Sequence, residues 1–413
     1  MTTSTLTRTD TLLLGPATLS AVGPADPLVP MERESYDDNL ARLGARPRVT
    51  AALVTDIDRA GVLGHGGAFV PVALKWRSAL ARQGHLTVVA NAAESEPLAG
   101  KDGTLLRQRP HLVLDGLQVT AQSLGADRLV VWLHGDDDGA RAVLQEALAE
   151  RRGASQDLPV EIVDGPVHYL AGEAQAITRA MAGGPPLPFP RRKYVDPSLP
   201  QTLVHNVETL ARLALLARGL PIPDTRLLSV LGSRRYVVEV EQSTTIEQVL
   251  IDLGWTVAPQ AVLLGGYAGI WTTWDTIAQL PVDEKALRAV RLTLGAGVVV
   301  PLAAEACGIQ ATADLVGYLA SMSAKQCGPC LFGLPALAEH WTQLASGDVD
   351  RKTLTRMYSD VSAVEMRGAC RHPDGATRLI LSATRTFADH LEDHASGSAC
   401  RRRLATRMPG VTR

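Results

Sequence analysis

The chain has 413 residues, with 41 Lys and Arg against 43 Asp and Glu, for a formal net charge of -2. That balance gives no broad positive field for nucleic acid or anionic lipid, and 46% hydrophobic with 20% charged residues describes a globular chain of two or three domains. No apolar run reaches membrane-span length, "TLLLG" is too short for a signal-peptide core, and five cysteines are an odd number, which argues for reduced thiols or ligands in the cytoplasm.

Residues 1–34, rich in Thr, Ser, Pro and Gly, read as a flexible leader. Residues 35–221 read as an α/β domain. "HLTVVAN" (85–91), "DRLVVWLHG" (127–135) and "LPVEIVDG" (158–165) are short apolar runs ending at Gly or Asn, as buried parallel strands do. Helical segments lie between them: "PVALKWRSALARQG" closes on a Gly, and "RPHLVLDGLQVTAQSLGA" has helical spacing. Such alternation predicts an open sheet covered on both faces, with ligands at the carboxyl ends of its strands.

Residues 222–282 change character. "TRLLSVLGSRRYVVEVEQ" reads as a hairpin, followed by a helix, "TTIEQVLIDLG", and a strand, "QAVLLGG", together a small β-grasp-like unit. A connecting segment, 283–305, holds a connecting strand, "AVRLTLGAGVVVPL". Residues 306–396 read as a bundle of four helices, and 397–413 as a basic, solvated tail.

Four motifs carry chemistry. In "GVLGHGGAFVPVALKW", Gly64, Gly66 and Gly67 open a helix that carries Lys75, and clustered N–H groups there hold phosphate, although a Gly cluster can equally be a tight turn. "NAAESEPLAGKD" follows a strand and offers Asn91, Glu94 and Glu96 to ribose hydroxyls or flavin N–H groups; its plainer reading is a solvated turn. "YLAGEAQAI" places Gly172 and Glu173 at a helix start, where an acid is also favoured by the helix dipole. "LVHNVETLARLAL" places Asn206 to cap a helix.

In this order the four resemble the NADH-binding flavoprotein subunit of respiratory complex I and its relatives in hydrogenases and formate dehydrogenases. The pattern G-x-x-G-x-G-G-A-G-F-P-x-G-x-K-W matches Gly61, Gly64, Gly66, Gly67, Ala68, Pro71, Lys75 and Trp76. N-x-x-E-S-E-P matches residues 91–97, G-E-x-x-A matches Gly172, Glu173 and Ala176, and N-V-E-T-L-A matches 206–211. The resemblance covers about residues 35–395 and implies an FMN/NADH-binding α/β domain, a soluble-ligand-binding-like β-grasp domain and an iron–sulfur helical bundle. It assigns cofactor phosphate to Gly64, Gly66, Gly67 and Lys75, FMN contacts to Asn91, Glu94 and Asn206, and NAD(H) to Glu96 and to the Gly172–Glu173 pair. The activity implied is electron transfer between NAD(P)H and a protein acceptor, a ferredoxin-like protein or a membrane reductase subunit. An alternative is a non-catalytic scaffold or electron-wire subunit with a decayed NADH site.

The departures fall in the site. A family Gly is Phe69, which puts a ring where backbone approaches ligand and demands an ordinary φ. The stacking aromatic is Val70, an expected carboxylate is Ala93, the acid after Glu173 is Ala174, and the loop Arg is His65. A lost charge-assisted hydrogen bond is worth roughly 1.5–3 kcal/mol, so the resemblance implies a weakened nucleotide site.

The family's C-x-x-C-x-x-C and late Cys become Ala324, Cys327, Cys330 and Cys370 in "SAKQCGPCLFG" and "GACRHPDG". Three thiolates at retained spacing fit a [4Fe–4S] cluster with one open iron, or a [3Fe–4S] one. His372 is a candidate fourth ligand and also an ordinary loop histidine. With the three cysteines it makes a Cys₃His set that suits structural zinc. Cys307 and Cys400 read as free thiols.

Overall fold

Apolar, β-branched runs between turn residues build the first sheet. In the computed structural model, residues 13–14, 20–21, 33–153, 157–188, 201–232, 234–348 and 351–396 are described. Their strands are β1 (Ser20–Ala21), β2 (Leu86–Asn91), β3 (Arg128–His134), β4 (Val160–Gly165), β5 (Gln201–Asn206), β6 (Thr225–Leu231), β7 (Arg235–Glu241), β8 (Ala261–Leu264), β9 (Ile270–Thr273) and β10 (Val298–Leu302).

The first sheet is all-parallel in the order β4-β3-β2-β5. The strand order reverses between β2 and β5, and at such a switch point the connecting loops part and leave a crevice. Asn91 and Asn206 stand in register at the carboxyl ends of those two strands. Helices cover both faces. Pro110–Leu124 and Val207–Ala217 pack so closely that a Cβ on Gly116 would sit 2.0 Å from the Leu210 carbonyl oxygen. On the opposite face, Ile177 of the helix Ala174–Met181 joins Val89, Val130, Trp132 and Val204. The helix carrying Lys75 ends at Leu80, earlier than the Gly84 the sequence pointed to; Gly84 instead takes a positive φ in the following turn.

The second sheet has the order β1-β7-β6-β10-β8-β9. The expected hairpin is β6–β7, but the segment read as a connector supplies a central strand: β10 runs parallel to β6 and antiparallel to β8. Its residues alternate, Val298, Val300 and Leu302 toward one core and Val299 toward the other, so it is buried on both faces. The leader is also partly engaged. Ser20 and Ala21 pair with Val237 and Tyr236, and Leu13 and Leu14 are buried, as their apolar side chains favour leaving water.

The helical end packs on the face of the second sheet that bears Leu263, Trp271 and Val300. Five α-helices follow from residue 308: Gly308–Ser321, Leu334–Ser346, Arg351–Val364, His372–Thr386 and Ala388–Ala395. The last expected helix is broken at Phe387, whose ring turns inward over Gly308, where any Cβ would lie 2.5 Å from it. No described helix is long and apolar enough to cross a membrane. The basic tail and Cys400 lie outside the described residues.

Candidate functional site

A cavity of about 800 Å³ lies at the β2/β5 switch point, and Gly64, Gly66, Gly67, Lys75, Asn91, Gly172, Glu173 and Asn206 all reach it. A second, of about 340 Å³, shares Gly66, Gly67, Asn91 and Asn206 and adds Glu94, Glu96, Tyr169, Cys370 and His372. The sequence-predicted residues are thus brought together across two adjoining spaces.

The glycine loop suits an anion. The N–H groups of Gly66 and Gly67 make no hydrogen bond with any described residue, and Gly67 holds φ at +90°. Lys75 lines the same space with no carboxylate partner among the described residues, only the Val204 carbonyl at 3.2 Å, and burial pulls its pKa down. Free N–H donors beside an unneutralised ammonium fit the phosphate of a flavin mononucleotide. Gly172 must be Gly, since a Cβ would lie 2.6 Å from the Ala93 carbonyl oxygen, and its own carbonyl accepts from Asn91 Nδ2 at 2.8 Å.

Several expected contact residues already have partners. Asn206 accepts from the Glu208 N–H as helix cap and donates Nδ2 to Asp102 at 2.6 Å. Glu94 accepts the N–H groups of Asp102 and Gly103 at a helix start, and burial with the Asp102 charge lifts its pKa to about 7. Glu173 caps its helix through the N–H groups of Gln175 and Ala176. Glu96 is 9% exposed, accepts from Tyr267 N–H at 3.0 Å and from the Tyr169 hydroxyl at 3.2 Å, and is raised to about 7 by burial.

Beneath the loop runs a buried ionic network. Glu208 accepts from His65 Nδ1 at 2.9 Å, Lys101 Nζ at 2.9 Å and Arg212 Nη2 at 3.0 Å, and stays ionised well below the usual carboxylate range. His65, replacing the family Arg, is pushed down to about 4 by burial despite Glu208, so it is neutral at neutral pH. Its donor duty is kept while its charge is gone.

Phe69 corrects an expectation. It takes φ of +50°, the left-handed backbone suited to Gly, so the loop course survives the substitution. The ring packs with Leu228 and Leu294 in the second unit, between the Arg226 and Arg288 guanidiniums at 5.8 and 5.7 Å. Val70 is 38% exposed on the cavity wall, and Ala93 sits in the apolar cluster with Val130 and Trp132. Arg371, Arg378 and Arg385 also line the larger cavity, a feature the sequence reading missed. Their seven-residue spacing on one helix was the available signal.

The three cysteines converge. Cys330 lies in a π-turn, Pro329–Gly333, a form common at functional sites, and its N–H bonds the Cys327 carbonyl at 3.0 Å. Cys327 Sγ accepts from Ala369 N–H at 3.4 Å. Burial, then Cys327 and Cys370, push the Cys330 thiol up to about 12. Three mutually repelling thiolates are what a cationic iron core stabilises, and the buried Ser323 hydroxyl beside Ala324 has no partner, so the pocket fits a cluster. His372 turns Nε2 to the Leu319 carbonyl at 2.7 Å and its ring to Tyr169. Cys307 contacts His394 instead, at 3.4 Å.

Comparison with known proteins agrees with both halves. Residues 57–215 match the Nuo51 FMN-binding domain, and residues 310–394 match the NADH-ubiquinone oxidoreductase-F iron-sulfur binding region. The NADP-reducing hydrogenase subunit HndC of Solidesulfovibrio fructosivorans is 26% identical over 92% of this chain and 84% of its own length. An NADH-quinone oxidoreductase subunit of Streptomyces coelicolor is 25% identical over 84% of each. The crystal structure of an NAD+-reducing [NiFe]-hydrogenase in the H2-reduced state shares the fold, with a TM-score of 0.75, 23% identity, and coverage of 89% of this chain and 68% of that one. With its flavin-type loop and its three-cysteine pocket matched in order along one chain, this protein is a divergent member of the family of NADH-binding flavoprotein subunits found in respiratory complex I and its hydrogenase relatives.

Proposed function

We propose that the chain is a cytoplasmic oxidoreductase subunit that moves electrons between NAD(P)H and a protein acceptor through FMN and an iron–sulfur cluster. The observation that carries this reading is the 340 Å³ cavity whose walls include Gly66 and Gly67 of the flavin-type loop and Cys370 of the cysteine set. Such adjacency lets electrons pass without leaving the protein. FMN, when bound, supplies the conversion of a two-electron hydride into single electrons.

The chain's own residues bind and orient. Gly66, Gly67 and Lys75 hold phosphate, Asn91 and Asn206 fix the strand ends that floor the site, and Glu96 with Tyr169 walls the path toward Cys370. The second sheet serves as the β-grasp, ligand-binding-like module and the helical end as the cluster-binding bundle. Leu331 and Phe332, 49% and 75% exposed beside Cys330, form the face that a ferredoxin-like acceptor or a membrane reductase subunit meets.

The test is an anaerobic preparation whose flavin and iron are assayed and whose absorption is followed on addition of NADH or NADPH. Bleaching of flavin and then of cluster absorption supports the reading, and protein that takes up neither FMN nor iron ends it. Val70, Ala93 and the engagement of Glu96 favour a second reading, an electron-wire subunit without nucleotide turnover. Its result in the same titration is bound flavin and cluster, unmoved by either nucleotide but reduced by dithionite.

A further inference from the structure

Behind the glycine loop, between the α/β unit and the second sheet, lies a separate cavity of about 550 Å³. That volume is typical of small-molecule sites, which favour such joints. Arg226 on β6 lines it, is 9% exposed, and makes neither hydrogen bond nor ion pair with any described residue; its Nε is sealed from solvent without a partner. Its guanidinium stacks on Phe69, which offers a ring face but no acceptor for the N–H groups.

The nearby charges are already committed. Arg212 is held by Glu208 and by the carbonyls of Pro223 and Thr225. Glu284 accepts from Leu294 N–H, Thr293 hydroxyl and Arg288, Asp283 caps its helix at Ala286, and Asp224 takes the Gln242 amide. A buried guanidinium whose Nε is sealed without a partner, and whose other donors meet no described acceptor, is costly unless something pairs with it. A group with two anionic oxygens pairs with it in parallel, fork to fork.

We propose that this cavity is a binding site for a small organic anion, a carboxylate or a phosphate monoester, gripped by Arg226 with Lys285 at the mouth. Three carboxylates on the same walls, Asp224, Asp283 and Glu284, weigh against a polyanion such as a nucleoside triphosphate. The site is distinct from the flavin-type pocket, although His65 lines both this cavity and the smaller of the two flavin-side spaces.

The experiment uses flavin-free full-length protein, melted in rising inorganic phosphate or, in a second arm, acetate, at constant ionic strength. Whichever anion raises the melting temperature names the class. The rise is expected to survive in Lys75→Met, to vanish in Arg226→Met, and to need about ten- to a hundredfold more anion in Arg226→Lys. Arg226→Met without anion should melt no lower than the wild type, since it removes an unpaired buried charge. No shift with either anion in the wild type overturns the proposal. So does a shift lost in Lys75→Met and kept in Arg226→Met, which places the anion in the flavin-type pocket. If Arg226→Met does not fold, the wild-type and Arg226→Lys titrations decide.

Discussion

His65 and Glu208 meet at 2.9 Å in the interior, the imidazole donating through Nδ1 to a carboxylate that Lys101 and Arg212 already neutralise. Because burial lowers the folded pKa of His65 from 6.5 to about 4, the unfolded chain takes up a proton first as pH falls. The stability tied to neutral His65 is therefore whole above pH 6.5 and is lost progressively toward pH 4, by about 3 kcal/mol at most. His65→Gln keeps a donor but cannot titrate. In urea melts it should flatten the acid side of the stability profile, and a profile identical to the wild type would refute the assignment.

Glu96 works in the opposite direction. Burial raises its folded pKa from 4.5 to about 7, so its ionised form is disfavoured in the folded chain. Stability is whole below pH 4.5 and is lost as pH rises toward 7, again by about 3 kcal/mol. Glu96→Gln, whose carbonyl can still accept from Tyr267 N–H, should stabilise flavin-free protein at pH 8 and leave it unchanged at pH 4.5. Equal effects at both values would show that packing, not charge, is at stake.

Phe69→Gly should relieve left-handed backbone strain of roughly 1–2 kcal/mol while forfeiting about 3–5 kcal/mol of buried ring. The net expectation is a loss of about 1–4 kcal/mol of stability, read by chemical denaturation. A stabilised variant would mean that the ring contributes little to the second unit.

Ala324→Cys should make the cluster more resistant to air. The wild-type protein, lacking a thiolate there, should lose one iron on oxidation and show a [3Fe–4S] electron paramagnetic resonance signal. The variant should suppress that signal, whereas Cys327→Ser, Cys330→Ser or Cys370→Ser should leave no cluster at all. Cys307→Ser should behave as the wild type.

The sequence made the first sheet legible because its strands are short apolar runs closed by turn residues, and its motifs fall directly on strand ends. Cys327 and Cys330 were legible from their spacing, and Cys370 only through the family resemblance. The place of residues 298–302 was not, since a doubly buried strand after a glycine-rich stretch reads the same whether it links two units or completes one. The fate of Phe69 was hidden for a different reason: its ring joins a core cluster with Leu228 and Leu294, more than 150 residues away in sequence. The row of Arg371, at the cap of His372–Thr386, and Arg378 and Arg385 within it was readable as a periodicity, but its facing the cavity depends on how the helical end docks.

Strand β10 has a consequence for synthesis. The strands and helices of the first sheet are all made by residue 217, but β6 and β8 meet only through β10. Until residue 302 emerges, the hairpin and the β8–β9 pair each present an open hydrogen-bonding edge and an apolar face. The nascent chain therefore passes through an interval in which the elements of its first sheet are all made and those of its second are adhesive, and a chaperone's hold is most useful there.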